Sequence, residues 1–497
     1  MIRLYSSKSA LFFLVVLTGL WNLCPSARAT EKPKEAEKSE QKPAAADEST
    51  VVGRIAYYEI TRGELEQRLM MELRPYDRDY NGEDAKPVDV NAVLMKMIAE
   101  KAMIIEARSK DVLKDELVQT SMKRFADRRL LNLLAQKRVD EKAAQITASE
   151  EEIKDKMKAD AKLDKERAEQ LVKRLKANEV LDEYFKQIYE KSNVKKSTEN
   201  YRKVAEIHDR LLNNPKEPRK QGWILNTQVK SELTPEEQNT VLAEHKNGKI
   251  TIKDWLQALC DIVPPRRPRK IDPKIVDQLL EGALRMPLLV AEAESLGLDK
   301  DKEYLKQVRD YEDRRLLSEA MAARQKEVKE PTSEQITAYF NGHKEAFGIS
   351  KAVKVDVVWC DDSATAKKAK AELDGGKDFE AVKQQYSLNK TDKPFTTNPG
   401  NEGLFWKDIW AGDPNETVGP VKGFYGQGIK WRIVKIMEKK PGELREYSDN
   451  VANQVKGGMM SEQREALLDA YRKEMLRKYP HTIYDERIKG IDPLAIP

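Results

Sequence analysis

Apolar residues recur every three or four positions along much of the chain, a spacing that places them on one face of an α-helix. One such run contains Val90, Val93, Leu94, Met97, Ile98 and Ile105, and another contains Leu279, Leu280, Leu284, Leu288 and Leu289. The pattern returns near the end of the chain, over residues 461–492, and residues 150–192 read as a charged helix. These runs predict a mostly helical protein whose helices bury one face.

Residues 351–436 follow a different pattern. Lys351–Cys360 alternates between polar and apolar residues, as a strand does, and an Ala-rich run over 364–373 predicts a helix. The later signals are Gly375-Gly376, a helical turn from Asp378 to Ser387, Gly400–Phe405, Val418–Val421 and a strand over Trp431–Ile436. The chain is therefore predicted to be α+β, with a small mixed domain in a mostly helical protein.

Two parts of the chain resemble each other. Ile60–Leu69 matches Ile250–Leu259, Phe125–Leu131 matches Tyr311–Leu317, and Ser149–Ile153 matches Thr332–Ile336. The offset between matching segments drifts only from 190 to 183 residues. We therefore predict an internal duplication of a helical segment.

The amino terminus has the features of a secretion signal. Arg3 and Lys8 precede an apolar run over 10–23, and Ala27-Arg28-Ala29 is a small-x-small cleavage site. The run is shorter than the roughly 20 residues that a membrane span needs. The residues before Cys24 lack the small side chains of a lipidation site, so we predict export through the Sec route as a protein without a lipid anchor or membrane span.

Charge and composition limit the classes of partner, metal and cofactor that we expect the protein to bind. Removal of Arg3, Lys8 and Arg28 lowers the formal net charge from +5 to +2, and the remaining charges are evenly spread, which argues against a nucleic-acid partner. Cys260 and Cys360 are the cysteines that remain, and whether they pair is left open. Two cysteines and four scattered histidines do not suggest a metal site, and no cofactor is expected.

The order of elements over 353–436 resembles the parvulin-type (rotamase) domain of the SurA/PrsA/PpiD group of extracytoplasmic folding factors. Thr332–Phe340 resembles the helix that leads from the chaperone domain of these proteins into the isomerase domain. The resemblance implies duplicated, SurA-N-like helical chaperone segments plus a parvulin-like βα domain, a small antiparallel sheet with helices. It also implies a periplasmic location.

The patterns and the resemblance together predict the division of the chain. The predicted segments are a signal peptide (1–29), a disordered tether (30–50), helical chaperone copy 1 (51–150), a helical linker or degenerate parvulin relic (151–245), helical copy 2 (246–345), the parvulin-like domain (346–440) and a carboxyl-terminal helix that packs back on the chaperone domain (441–497).

The resemblance also implies where catalytic residues should lie. Parvulin domains use two inward-facing histidines and a nearby Asp or Cys, and here the corresponding positions hold Val357, Asn389 and Arg432. No catalytic residue is therefore expected to be intact. The candidate substrate-binding residues are Trp359, Phe405, Trp406, Trp410 and Phe424. Trp406 and Trp410 have the alternative role of covering the core.

Three functions follow from these observations. The first is a chaperone that binds unfolded or newly exported polypeptides and carries a parvulin-like module of weak or no isomerase activity. The Met-rich first copy suits varied clients, because thioether side chains adapt to irregular surfaces. The alternatives are an active peptidyl-prolyl cis-trans isomerase with atypical site residues and a cell-envelope scaffold protein. The sequence leaves the oligomeric state open.

Overall fold

A computed structural model describes residues 47–73, 88–216, 222–426 and 428–495. The helices are α1 (Arg62–Glu72), α2 (Val90–Ser109), α3 (Glu116–Glu141), α4 (Glu150–Ala159), α5 (Lys165–Lys191), α6 (Tyr201–Asn213), α7 (Asn226–Glu232), α8 (Pro235–Asn239), α9 (Ile252–Asp261), α10 (Pro273–Ser295), α11 (Lys302–Gln325), α12 (Ser333–Gly342), α13 (Ser363–Asp374), α14 (Phe379–Tyr386), α15 (Pro399–Glu402), α16 (Trp406–Ala411), α17 (Asp449–Lys478) and α18 (Asp485–Ile488). The strands are β1 (Val51–Ile55), β2 (Tyr58–Thr61), β3 (Lys195–Lys196), β4 (Val241–His245), β5 (Gly248–Thr251), β6 (Ala352–Cys360), β7 (Phe395–Thr397), β8 (Thr417–Tyr425), β9 (Gly428–Lys440) and β10 (His481–Ile483).

The described residues fall into two compact units. The contiguous unit contains residues 116–312, and the split unit contains residues before 116 together with those from 313 onward. Helices dominate both units, and the sheets in both are small and antiparallel. The predicted α+β fold class is confirmed.

The contiguous unit contains a hairpin of β4 and β5 that leads directly into α9. Val241 pairs with Thr251 and Ala243 with Ile250, with a bulge between the two pairs, and β3 pairs with the outer side of β4. The Thr251 side chain caps α9 in a capping box with Asp254, which satisfies backbone N–H groups at the helix start. Trp255 and Leu256 of α9 then enter a core with α3, α6 and α10.

The split unit contains a hairpin with the same layout. In β1 and β2, Val51 pairs with Thr61 and Gly53 with Ile60, again with a bulge between the two pairs. Thr61 forms a capping box with Glu64 at the start of α1. Strand β10, near the end of the chain, completes this sheet by pairing with β1, as Gly53 opposite Ile483 shows.

The carboxyl-terminal helix differs from the predicted span of 461–492. Helix α17 begins at Asp449 and ends at Lys478, and His481–Ile483 forms β10 instead. Pro480 explains the early end, because the residue before a proline is pushed out of the helical region. Tyr471 and Met475 of α17 pack with Val52 and Leu94 in the core of the split unit.

One further predicted helix differs from the structure, and two predicted segments fall mostly on residues that the structure does not describe. The predicted charged helix 150–192 is interrupted, since α4 ends at Ala159 and α5 begins after the Asp164 cap. The predicted signal peptide and almost all of the predicted tether lie outside the described residues. Within the described ranges, no helix has both the length and the apolar character required to cross a membrane.

The second sheet of the split unit has the strand order β7-β6-β9-β8 and is antiparallel throughout. Alternate residues of β6 serve two cores, as expected for a strand buried on both faces. Val355, Val357 and Trp359 face a core shared with α16. Val358 and Cys360 face the opposite core, which α13 and α14 supply. We call residues 346–440 the parvulin-like module.

Candidate functional site

The two positions at which the sequence resemblance predicts parvulin histidines lie on one face of the sheet. In β6 and β9, Val357 pairs with Val434 and Trp359 pairs with Arg432. Cross-strand partners and residues two apart share a face, so the Val357 and Arg432 side chains project to the same side. Val357 is 2% exposed and packs in an apolar core. Its side chain has no atom that could donate or accept a proton.

Arg432 lies in a buried polar cluster. Its side chain is 1% exposed, and Nη2 donates a hydrogen bond of 2.6 Å to Oε2 of Glu402. Its Nε donates to the Lys422 carbonyl at 3.3 Å, and the guanidinium lies over the Trp359 ring, 5.2 Å from its centroid. Oε1 of Glu402 accepts a hydrogen bond of 2.7 Å from Thr397. The positive charge is therefore neutralised inside the module and is not left to polarise a substrate.

Gly423 on β8 makes room for the Arg432 side chain. A Cβ atom at position 423 would lie 2.2 Å from Nε of Arg432 and 2.4 Å from its Cζ. Real carbon atoms do not approach a guanidinium that closely, so any larger residue at 423 would displace Arg432. The Arg432 side chain therefore fits only because residue 423, on the adjacent strand, has no side chain.

Asn389 lies in the loop after α14, where the resemblance places the acidic residue. Its Nδ2 donates to Oδ1 of Asp392, and its Oδ1 accepts from the backbone N–H and the hydroxyl of Thr391. The Lys383 side chain, 1% exposed, donates to the carbonyl of Asp392 and to the carboxylate of Asp356 on β6. The loop is therefore tied to the sheet by a buried ammonium group rather than presenting a free acid.

The remaining groups near this face offer little acid–base chemistry at neutral pH. On the opposite face of β6, burial together with the nearby charge of Asp362 raises the pKa of the Cys360 thiol to about 11, so this thiol stays protonated. The chain's histidines lie on α6, on β4, directly after α12 and on β10, outside the module. Burial raises the pKa of the Asp408 carboxyl on α16, and the nearby charge of Arg432 acts in the opposite direction.

The candidate substrate-binding aromatics are placed in two groups. Trp359 and Trp406 are buried in the core on the Val357 side, where Trp406 stacks on the half-buried Trp410 at 5.3 Å between ring centroids. Phe405 and Phe424 meet edge to face at 5.0 Å. Phe424 and Trp410 keep part of their surface exposed, and they are the members of the set that remain accessible to a partner.

Several residues that organise the site were missing from the sequence prediction. Glu402, Thr397, Lys383 and Gly423 surround the predicted positions but were not singled out. A signal for Glu402 was available, because a charged residue at a buried histidine position requires an opposite charge, and Gly400–Phe405 contains one. Over the described part of the chain, no group of three or more His, Cys, Asp or Glu residues is placed to hold a metal ion.

Comparison with known families gives this region an identity. Residues 331–450 match the PPIC-type PPIase domain family. The predicted resemblance to the parvulin-type domain of SurA/PrsA-type folding factors is therefore confirmed for this part of the chain. The match covers less than half of the chain. No curated protein matches the sequence.

Solved structures of bacterial folding proteins align with larger parts of the chain. One, from work on the SurA-like chaperones PEB4 and Cj1289 of Campylobacter jejuni, is 13% identical, with a TM-score of 0.25 over 49% of this chain and 100% of that chain. The foldase PrsA of Streptococcus pneumoniae is 15% identical, with a TM-score of 0.25 over 45% of this chain and 81% of that one. PrsA of Bacillus cereus is 18% identical, with a TM-score of 0.22 over 51% of this chain and 96% of that one. Superpositions with such scores carry no functional argument.

Proposed function

We propose that the protein is an extracytoplasmic chaperone that binds unfolded or newly exported polypeptides, and that its PPIC-type module has weak or no isomerase activity. The observation that carries the second part is the buried Arg432–Glu402 pair. A parvulin site needs a neutral, polarisable pocket beside the twisted prolyl amide, whereas this position holds a neutralised ion pair under an apolar core. The amide barrier of about 18–20 kcal/mol is then left nearly unchanged.

The test combines two measurements on the exported form, residues 30–497. In a proline-peptide isomerase assay, we expect no acceleration beyond the uncatalysed rate, which has a time constant of tens of seconds. In an aggregation assay with a chemically unfolded client, we expect suppression at stoichiometric amounts. A parvulin with both histidines serves as the positive control for the first assay. Strong acceleration that Asn389→Ala and Trp359→Ala both abolish would contradict the proposal.

The alternative of an active isomerase with atypical residues keeps one supporting observation. The Asp392 carboxylate contacts Asn389, so an acid lies beside the position where the family places one. Under this alternative, Asp392→Asn lowers the isomerase rate while aggregation suppression is unchanged. The scaffold alternative predicts instead that a single stoichiometric partner is recovered and that unfolded clients do not bind.

We also propose the predicted division of the chain, with copies 51–150 and 246–345 related by duplication. The support is the shared hairpin register: the bulge falls after Val51–Thr61 in the first hairpin and after Val241–Thr251 in the second, whose first strand, Val241–His245, lies just before residue 246. For 151–245, the described helices α4–α8 favour the helical-linker interpretation over a parvulin relic. The apolar run over 10–23 supports the proposed Sec export.

A further inference from the structure

A cavity of about 300 Å³ lies in the contiguous unit, away from the parvulin-like module. Its walls come from α6, from the end of α9 and from the Pro-rich segment that follows α9. Leu212, Trp223, Leu259, Pro264 and Pro265 make most of this lining apolar. The volume lies at the lower end of the range for ligand pockets, which suits one large side chain rather than a whole cofactor.

His208 is the polar group inside this cavity. It is 3% exposed and lines the cavity. Burial lowers the pKa of the imidazole to about 4, so at pH 7 the ring is neutral, with one nitrogen able to donate and the other able to accept. A ligand in the cavity can therefore offer either a donor or an acceptor to this ring.

The mouth of the cavity carries an excess of positive charge. The Arg267 guanidinium donates to the carbonyl oxygens of Ile262, Ile224 and Cys260 at 2.6, 2.8 and 2.5 Å, and these neutral acceptors leave its charge in place. Arg269, which also lines the cavity, is exposed and makes no ion pair with a described residue. An anionic group beside the cavity would therefore be attracted.

Over residues 261–272 the segment has four cationic side chains and two carboxylates. Arg266 and Lys270 are exposed, and neither pairs with an acid in the described parts of the chain. Asp261 at the end of α9 already pairs with Arg124, at 3.5 Å. Asp272 accepts a hydrogen bond from the backbone N–H of Ile275 at the start of α10.

We propose that this cavity binds an aromatic side chain of an extended client polypeptide in which an Asp or Glu neighbours the aromatic residue. The ring fills the apolar cavity, His208 hydrogen-bonds to the client backbone, and Arg269 pairs with the carboxylate. The inference rests on the proposed chaperone function and names the class of segment recognised. It also places client binding in the contiguous unit rather than in the parvulin-like module.

The test measures fluorescence anisotropy of labelled ten-residue peptides with residues 30–497. The reference peptide has a central Phe-Asp pair, and two matched peptides replace Phe by Ala or Asp by Lys. We expect the reference peptide to bind about tenfold more tightly than either, a difference of about 1.4 kcal/mol in binding free energy. Equal affinity for the three peptides overturns the proposal, and so does equally tight binding of free phenylpropionate, since the occupant would then not be a polypeptide.

Two charge reversals locate the binding site. Arg269→Glu is expected to weaken binding of the reference peptide at least about fivefold. Arg266→Glu makes the same charge change at an exposed position that does not line the cavity, so it is expected to change affinity less than about twofold. Equal losses from the two reversals show a general electrostatic effect and overturn the assigned site. His208→Leu, checked for unchanged thermal unfolding, is expected to weaken binding as well.

The aggregation assay separates this inference from the proposed function. Suppression of client aggregation without binding of the Phe-Asp peptide overturns the cavity assignment and leaves the chaperone function standing. If the unmodified protein neither binds the Phe-Asp peptide nor suppresses aggregation, both the cavity assignment and the chaperone function are overturned. Peptide binding that Arg269→Glu abolishes, together with reduced aggregation suppression by the same variant, supports both.

Discussion

Arg432 donates a hydrogen bond of 2.6 Å to Glu402 inside the parvulin-like module, and the two side chains are only 2% and 7% exposed. Arg432 is the residue at which the sequence resemblance predicts a parvulin histidine. An ion pair removed from water is held only by good geometry and additional hydrogen bonds, which Thr397 and the Lys422 carbonyl supply here. Arg432 is therefore part of the buried core of the module.

Breaking this pair is predicted to destabilise the protein strongly. Glu402→Gln leaves a buried guanidinium without its counter-charge, and we expect a loss of about 3–5 kcal/mol in the free energy of unfolding of the split unit. The double change Arg432→Met with Glu402→Leu removes both charges and is expected to cost less than Glu402→Gln alone. Urea denaturation followed by tryptophan fluorescence measures both.

The control for this prediction is a surface pair on the same strand. Lys430 pairs with Asp361 with both side chains substantially exposed, so Lys430→Ala is expected to change stability by less than about 1 kcal/mol. A Glu402→Gln variant as stable as Lys430→Ala would show that the buried pair contributes no more than a surface one.

Gly423 is predicted to tolerate no side chain while Arg432 is present. A methyl group at 423 would overlap the guanidinium, so Gly423→Ala is expected to cost about 1–3 kcal/mol, as overpacking of a core does. Gly342 at the end of α12 has open space around its Cβ position, so Gly342→Ala serves as the control and is expected to stay within about 1 kcal/mol of the parent. Thermal unfolding of the two variants and the parent measures these stability differences.

Glu106 is predicted to make the split unit sensitive to acid. Hydrogen bonds from Lys110 and Lys478, with a smaller contribution from Tyr479, lower the pKa of this carboxyl from its ordinary value of 4.5 to about 2. Because the folded-state pKa is lowered, the stabilisation is present above about pH 4.5 and is lost as the pH falls towards about 2. Denaturant titrations from pH 6 to pH 2 should show this loss.

Glu106→Gln provides the comparison for the acid prediction. The variant is expected to be less stable than the parent at pH 6, and the difference is expected to shrink as the pH falls, because the parent carboxyl becomes protonated. Glu486→Gln, at an exposed residue of α18, should follow the parent curve. A constant difference between Glu106→Gln and the parent at every pH would rule out the proposed ionisation.

The two capping boxes are predicted to make similar contributions. Thr61 and Thr251 each accept a hydrogen bond from the third backbone N–H of the following helix, so Thr61→Ala and Thr251→Ala should each cost about 1 kcal/mol. Thr→Ser at either position retains the oxygen and should cost less than Thr→Ala. Alanine variants as stable as their serine counterparts would show that these caps are not needed.

Much of the module could be predicted because its signals are local. The alternation over Lys351–Cys360 appears as β6 at Ala352–Cys360, and the Ala-rich run appears as α13 at Ser363–Asp374. Outside the module, a Thr-x-x-Glu pattern begins α1 and a Thr-x-x-Asp pattern begins α9. Propensity, alternation and capping depend on residues within a few positions of one another, so one stretch of sequence contains the whole signal.

The surroundings of the site could not be predicted in the same way. Periodicity extended the last helix past Lys478, because the strand that replaces it pairs with β1, over 400 residues earlier in the chain. The partner of Arg432 lies 30 residues away on another element, and that of Lys383 lies 27 residues away. Such pairings are decided by which elements pack together, and no local pattern contains that information.

By itself, the sequence determined the mostly helical character of the chain, the first strand and helix of the module, the likeness of one segment to a parvulin domain and the absence of histidine at Val357 and Arg432. Only the tertiary structure decided that the arginine is neutralised by Glu402, that β10 completes the first sheet and that His208 faces an apolar cavity with a cationic mouth. The physical reason is range: backbone preferences act between neighbours, whereas burial and charge pairing are settled when distant elements meet.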